Sequence, residues 1–551
     1  MSHTLKIARQ KRIFVLIVCD RVWQKSVLCE TMATVKRLVL VAVLWMALLQ
    51  VTDAQFPRAC TDAASFRRRE CCPVPTGFTE PCGGTGRGQC ANFTDPTPTN
   101  QTEWPPVYNL DDRRRWPSVF FTRFCSCEGN FAGADCGMCK RGFRGSNCTE
   151  TKILIRKNVL NLTAEEKAKF IAYINNTKYA QIQYVAASES YANASIVPQF
   201  RNVSAYDFFV YLQYYAGVHS FPSGLDFSQG SAGFATWNRA FLVAFELAVQ
   251  VVNADYDFAL PYYDWTESSS CNSSNVCSND LVGANNASGM LDDMSVFSRW
   301  NTVCAPSNTT GAKPCDVNVD TGPIIRKADG SLPAKKEVNF AQRLTTFDKA
   351  GYNKTSDCSF RNLLEGFVNT GTGIHDPGRR YLNEQVHQSL GGTGGTMSQL
   401  WQASNDPIFY LHRCFMDRIF EKWMRRHNVS VDAALPESGA APGHNRHENI
   451  VPLFPPISHA AVYKRSTALG YDYADISSNG MSGSNIGPDD CPVLPTTTPM
   501  MTTTPVTAAG PEPAHITAGL IVGFCVAAAL GIAALGMLAY CIKSYTSKPA
   551  P

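Results

Sequence analysis

Residues 406–427, DPIFYLHRCFMDRIFEKWMRRH, set His412, Arg413 and Cys414 side by side on one amphipathic segment. Imidazole can bind a soft cation or carry a proton, and a thiol can attack or bind metal. A guanidinium stays protonated and can do neither. Asp406 and Pro407 read as a helix start, because a carboxylate caps free amides and proline suits the first helical position. Phe409, Met416 and Phe420 then share one apolar stripe, and Arg413 sits on it. A guanidinium facing a core needs an acceptor or a route to water. The adjacency of His412 and Cys414 is no evidence of a nucleophile, and no Ser-His-Asp or Cys-His set can be placed by spacing. Asn383 and His387, four apart, suggest another helix. The Gly391-Gly392-Thr393-Gly394-Gly395 stretch lacks the strand-to-helix context of a phosphate loop.

Cysteine fixes the compartment. The chain has 21, ten of them between Cys60 and Cys148, together with about a dozen Asn-x-Ser/Thr sites. That combination points to the secretory route and to disulfides. Expected glycosylation sites include Asn92, Asn161, Asn193, Asn202, Asn308, Asn353 and Asn428. The Cys136-Gly-Met-Cys139 pair has zinc-ligand spacing, but an oxidising lumen favours disulfides. With Cys19, Cys29, Cys525 and Cys541 set aside, 17 lumenal cysteines remain, an odd number. Cys414, or else Cys491, is expected to stay unpaired or to bridge another chain. The formal charge of +4 gives no sign of nucleic-acid binding. The runs Arg67–Arg69 and Arg113–Arg115 are expected to be solvated faces.

The elements that position these residues follow in order. Residues 1–54 are an extension and signal peptide, with Met32 the expected start and cleavage before Gln55. Residues 55–150 form a cysteine-rich module with laminin-type EGF spacing. Residues 151–490 form the main body, mainly helical and built on a four-helix bundle. Its helices are expected at Tyr206–Ala216, where Ser204 and Asp207 make a capping-box-like start, at Gly233–Asn253, near Asn383–His387, and in the opening stretch. On the second of these, Phe234, Asn238, Phe241 and Phe245 share a face. Residues 491–515 are a Pro/Thr-rich stem. The uncharged run 516–542 is long enough to span a bilayer, and the tail 543–551 carries Lys543 and Lys548, so a type I topology is expected.

Several blocks occur together in order. They include Phe56-Pro-Arg-Ala-Cys60, Cys71-Cys72-Pro73, Trp116-Pro-Ser-Val-Phe120 and Pro261-Tyr-Tyr-Asp-Trp265. Further along come Phe360-Arg-Asn-Leu-Leu-Glu-Gly-Phe367, Thr396-Met-Ser-Gln399, Asn405-Asp-Pro-Ile-Phe409, Gly443-His-Asn-Arg446 and Gly470-Tyr-Asp-Tyr473. With them the chain resembles the tyrosinase and tyrosinase-related protein family of vertebrate melanin synthesis. The resemblance implies a helical bundle with a type-3 dicopper site, after an EGF-like domain and before a membrane anchor. In that family six histidines, three per metal, hold the coppers. Carried over position by position, the first copper's ligands fall at Gln213, Gln229 and Asn238, and the second's at Asn383, His387 and Arg413. Only His387 is retained. His412 matches a neighbouring family histidine that is not a ligand, and lies about 100° further round the helix.

Amide oxygens are harder ligands than imidazole nitrogens, and arginine is none at all. No cofactor is therefore expected, and the fold reads as a pseudoenzyme that binds or scaffolds a family member or another lumenal partner. The opposing reading is a copper-dependent monophenol or catechol oxidase. A single metal on His387 and His412 is a weaker variant, and the zinc chemistry of the tautomerase branch would use the same missing histidines. His219, His375, His427, His444, His447 and His459 show no ligand spacing around the cavity. In place of metal, Gln213, Asn238 and Asn383 are expected to bond one another, with Arg413 paired to Glu246 or Glu384. The resemblance implies a melanosome-like organelle. The short tail leaves cell-surface delivery open.

Overall fold

The computed structural model describes residues 55–96, 111–189, 199–218, 220, 223–304, 315, 317–328, 330–476 and 484–487. The signal peptide, stem, apolar run 516–542 and tail lie outside them, as do His219, Cys491, Asn193 and Asn308. No helix among the described residues is long and apolar enough to cross a membrane.

Five longer helices carry the core: α1 (Ala164–Tyr179), α2 (Ala205–Ala216), α3 (Phe234–Asn253), α4 (Leu382–Gly391) and α5 (Ile408–His427). Their starts are chemically defined. Thr163 and Glu166 close a reciprocal capping box on α1. Ser204 Oγ accepts the amide of Asp207 at 3.0 Å on α2. At α5 the N-cap position falls to Pro407, one residue later than the sequence suggests. Asp406 Oδ1 still takes the Ile408 amide at 3.1 Å. The same carboxylate is gripped by Arg326, Nη2 to Oδ1 at 2.6 Å and Nε to Oδ2 at 3.0 Å. Phe234, Phe241, Phe245, Phe409, Met416 and Phe420 are all buried, so the apolar stripes of α3 and α5 face inward as their spacing implies.

The amino-terminal cysteines pair as Cys60–Cys71, Cys72–Cys90, Cys82–Cys125, Cys127–Cys136 and Cys139–Cys148. Both members of the Cys136/Cys139 pair are consumed, which removes the zinc alternative. Cys271–Cys277 and Cys304–Cys315 staple the main body, and Cys358 is bridged to a partner outside the described residues. Cys414 is free and buried, and burial pushes its thiol far above the usual range.

Two sequence expectations about charge are corrected. Arg113 is no solvated residue but is fully buried. It pairs with Asp111 at 2.7 Å and donates to the carbonyls of Tyr215 (2.9 Å) and Gly217 (2.8 Å), where α2 leaves its last acceptors unsatisfied. Glu246 does not meet Arg413. It is enclosed by Arg141 and by Arg156, whose Nε lies 2.9 Å from Oε2. Arg156 also lies 3.5 Å from Asp417, which takes Arg239 at 2.6 Å and the hydroxyls of Tyr471 and Tyr473 at 2.6 Å each. Leu154–Arg156 and Tyr471–Tyr473 pair as parallel strands, so both flanks of the main body reach α3 and α5 through this network. Burial opposes ionisation of Glu246, but Arg141 and Arg156 outweigh it and hold the carboxyl below its usual range.

Removing one member of such a network leaves an uncompensated buried charge. Glu246→Gln is expected to lower unfolding free energy by about 3–5 kcal/mol, measured by denaturant titration of the purified protein.

Candidate metal centre

Six positions are at issue, carried by α2, α3, α4, α5 and the loop before α3. Gln213 on α2 is buried, and its Nε2 donates to Leu400 O at 2.7 Å while Oε1 has no partner. Gln229 follows Asp226, whose Oδ1 accepts the amides of Ser228 (2.9 Å) and Gln229 (3.0 Å). Its Oε1 is also buried without a partner. Asn238 on α3 turns back on its own helix, donating to Phe234 O at 2.8 Å. Asn383 on α4 donates at 3.4 Å to both Glu365 O and Glu384 Oε1. The expected mutual bonding of the three amides does not occur, because helix and loop carbonyls lie nearer and take their hydrogens.

The histidines come together more closely than the sequence implies. The rings of His387 and His412 stand perpendicular with centroids 5.1 Å apart, both fully buried. His387 Nδ1 lies 2.8 Å from Met397 O, and a carbonyl can only accept, so that nitrogen carries the proton. Its Nε2 is then bare, and Arg413 Nη2 donates to it at 3.1 Å. The indole Nε1 of Trp265 lies 3.2 Å from His412 Nδ1 and can only donate, so there Nδ1 is bare. His412 Nε2 donates to Asn383 Oδ1 at 3.0 Å. Each imidazole lone pair is thus already engaged by an N–H donor. Burial first, with neighbouring Arg413 adding to it, keeps both rings well below the usual imidazole pKa, so both are neutral. Sequence spacing sets His412 about 100° round the helix from the ligand position, so it does not simply stand in there. Trp265 and Asn383, which draw its ring into the cluster, come from distant segments and left no local signal.

Arg413 is buried among Phe409 and Phe234, with its guanidinium carbon 5.0 and 5.5 Å from their ring centres. Glu384, expected as its partner, does not form an ion pair with it. Burial, with Glu365 adding to it, pushes Glu384 up to about 7. Arg413 itself is brought down to about 10 by burial, against the pull of Glu384, Glu365 and Asp226.

The remaining described histidines stand apart from this pair. His375 lies 3.1 Å from Phe367 O, His427 lies 2.8 Å from Gln342 O, and His447 lies 3.5 Å from Glu437. His444 Nε2 donates to Asp226 O at 2.7 Å, and His459 bridges Thr236 Oγ1 and Gly443 O, each at 2.7 Å. Both rings press on Gly233 at the start of α3. A Cβ there would meet His459 Cε1 at 2.5 Å and His444 Nδ1 at 2.7 Å, so only glycine fits. Among the described residues, the groups of three or more side chains close enough to share a metal contain no histidine. They centre on Cys72, Cys82, Cys90 and Cys125, all already disulfide-bonded.

Residues 203–426 match the family model described as the common central domain of tyrosinase. The tyrosinase of Gallus gallus is 37% identical over 453 residues, covering 78% of this chain and 84% of that protein. That of Felis catus is 36% identical over 457 residues, covering 79% and 84%. The 5,6-dihydroxyindole-2-carboxylic acid oxidase of Ambystoma mexicanum is 37% identical over 452 residues, covering 76% and 83%. The chain belongs to the tyrosinase family, as its sequence blocks imply.

Burial also holds His444 down to about 4. The folded state resists a proton that the unfolded chain accepts near pH 6.5, so this ring subtracts stability as pH falls below 6.5 and nothing above it. The stability of the native protein relative to His444→Gln should drop by roughly 3 kcal/mol between pH 6.5 and pH 4, read from unfolding midpoints at each pH.

Proposed function

We propose that this chain is a non-enzymatic member of the tyrosinase family whose centre does not hold the copper pair. Its fold serves as a binding partner or scaffold for another lumenal protein, in melanin synthesis or a related organelle. The observation that carries this reading is the Arg413–His387 contact. The one retained family ligand spends its lone pair on a cation that stands where the family has another imidazole. Two unit charges 4 Å apart repel by roughly 4 kcal/mol at an effective dielectric of 20, so a guanidinium in that position works against a metal ion. Gln213, Gln229, Asn238 and Asn383 offer only amide oxygens, and that of Asn383 is already bonded to His412.

The same reading includes a type I membrane glycoprotein, anchored through 516–542, with a melanosome-like organelle or the cell surface as its destination. The exposure of Asn92, Asn161, Asn202, Asn353 and Asn428 supports their glycosylation. Relatives named as tyrosinase and as 5,6-dihydroxyindole-2-carboxylic acid oxidase favour the opposing reading, a copper-dependent phenol or catechol oxidase.

Metal analysis and dopa oxidation on the purified ectodomain separate the two. The expected outcome is less than one copper per ten chains and turnover indistinguishable from buffer. Two coppers per chain with an ultraviolet band of bound oxygen would establish the oxidase instead. Crosslinking in pigment cells tests the scaffold role, and recovery of no lumenal partner would reject it.

A further inference from the structure

Six arginines are buried in the described core: Arg113, Arg156, Arg239, Arg326, Arg361 and Arg413. Five have a carboxylate oxygen close by: Arg113 at 2.7 Å, Arg156 at 2.9 Å, Arg239 at 2.6 Å, Arg326 at 2.6 Å and Arg361 at 2.9 Å. Arg413 forms no such pair among the described residues. Its Nε–H and Nη1–H are buried and have no acceptor. Its one acceptor, His387 Nε2, is neutral. The nearby acids are committed elsewhere. Glu365 takes Arg361 at 2.9 Å and the amide of Gly230 at 2.5 Å, and Asp226 Oδ1 takes the amides of Ser228 and Gln229. Glu384 Oε2 lies 4.0 Å from Arg380.

Arg413 therefore keeps two N–H groups without an acceptor and has no carboxylate in ion-pair contact among the described residues; Glu384, Glu365 and Asp226 act on it only from further off. Water supplies an acceptor without a charge, whereas an anion supplies both. The phenylalanine walls and complete burial favour a small, monovalent, weakly hydrated ion. We propose that Arg413 holds one halide-class anion against its Nε–H and Nη1–H, making the centre an anion site where the family resemblance implies metal. This rests on the reading that copper is absent from the centre.

Bromide is the probe. In crystals of the glycosylated ectodomain soaked in sodium bromide, an anomalous peak is expected within hydrogen-bond reach of Arg413 Nε or Nη1. In solution, replacing gluconate by chloride at fixed ionic strength should raise the melting temperature by about 2 °C or more. That gain should vanish in Arg413→Met. Bromide found only on the surface, water alone at Arg413, or Glu384 swung onto the guanidinium would overturn the proposal, as would an equal chloride effect in Arg413→Met. The crystal experiment needs no variant and decides the matter if Arg413→Met does not fold. Copper analysis of the same protein separates the two failures. No copper and no bromide removes only the anion site, while bound copper removes the scaffold reading itself.

Discussion

One hydrogen bond organises the centre of this molecule, the donation from Arg413 Nη2 to His387 Nε2. It agrees with His387 as the Nδ1–H tautomer, whose N–H is donated to Met397 O. It holds the guanidinium between two aromatic faces instead of letting it reach solvent. It also removes the lone pair by which an imidazole would bind a soft cation. The second ring follows suit, since Trp265 and Asn383 hold His412 in the opposite tautomer. Two neutral histidines and one arginine thus share directed hydrogen bonds with known donors, while two N–H groups of the arginine stay without an acceptor.

Around that centre the scaffold is stabilised by charge as much as by apolar packing. Fully buried arginines hold helix ends and strands together. Arg113 closes the carboxyl end of α2, Arg326 anchors Asp406 just ahead of the α5 N-cap, and Arg156 and Arg239 converge on the acids of α3 and α5. Such groups are costly to desolvate and are tolerated because their hydrogen bonds are nearly complete. Arg413, which no carboxylate contacts among the described residues, stands out against this background.

Much of the scaffold was legible in the sequence. Ser204 before a run of aromatics and Asp406-Pro407 before an apolar stripe are local signals, and the helices begin within a residue of where those signals place them. The family blocks lie in order along the chain, so the assignment did not depend on any single motif. What could not be read was pairing across long separations. Arg113 sits in a basic run that looks solvated until Asp111 and the end of α2, about a hundred residues on, surround it. Glu246 looked free to meet Arg413, because nothing nearby in sequence shows Arg141 and Arg156 claiming it. The approach of His412 to His387 was not legible for the same reason, since Trp265 and Asn383 come from other segments.

The network on Glu246 and Asp417 also bears on how the chain is made. Arg141 and Arg156 precede Glu246, so that acid finds its cations as soon as α3 is complete. Asp417 must wait for Tyr471 and Tyr473, the last described strand, before both hydroxyls reach it. During synthesis from the amino terminus the core therefore stays open on one side until residues 471–473 have been made. A truncation anywhere before that strand would leave ionised groups facing an unfinished interior, a state suited to recognition by quality control.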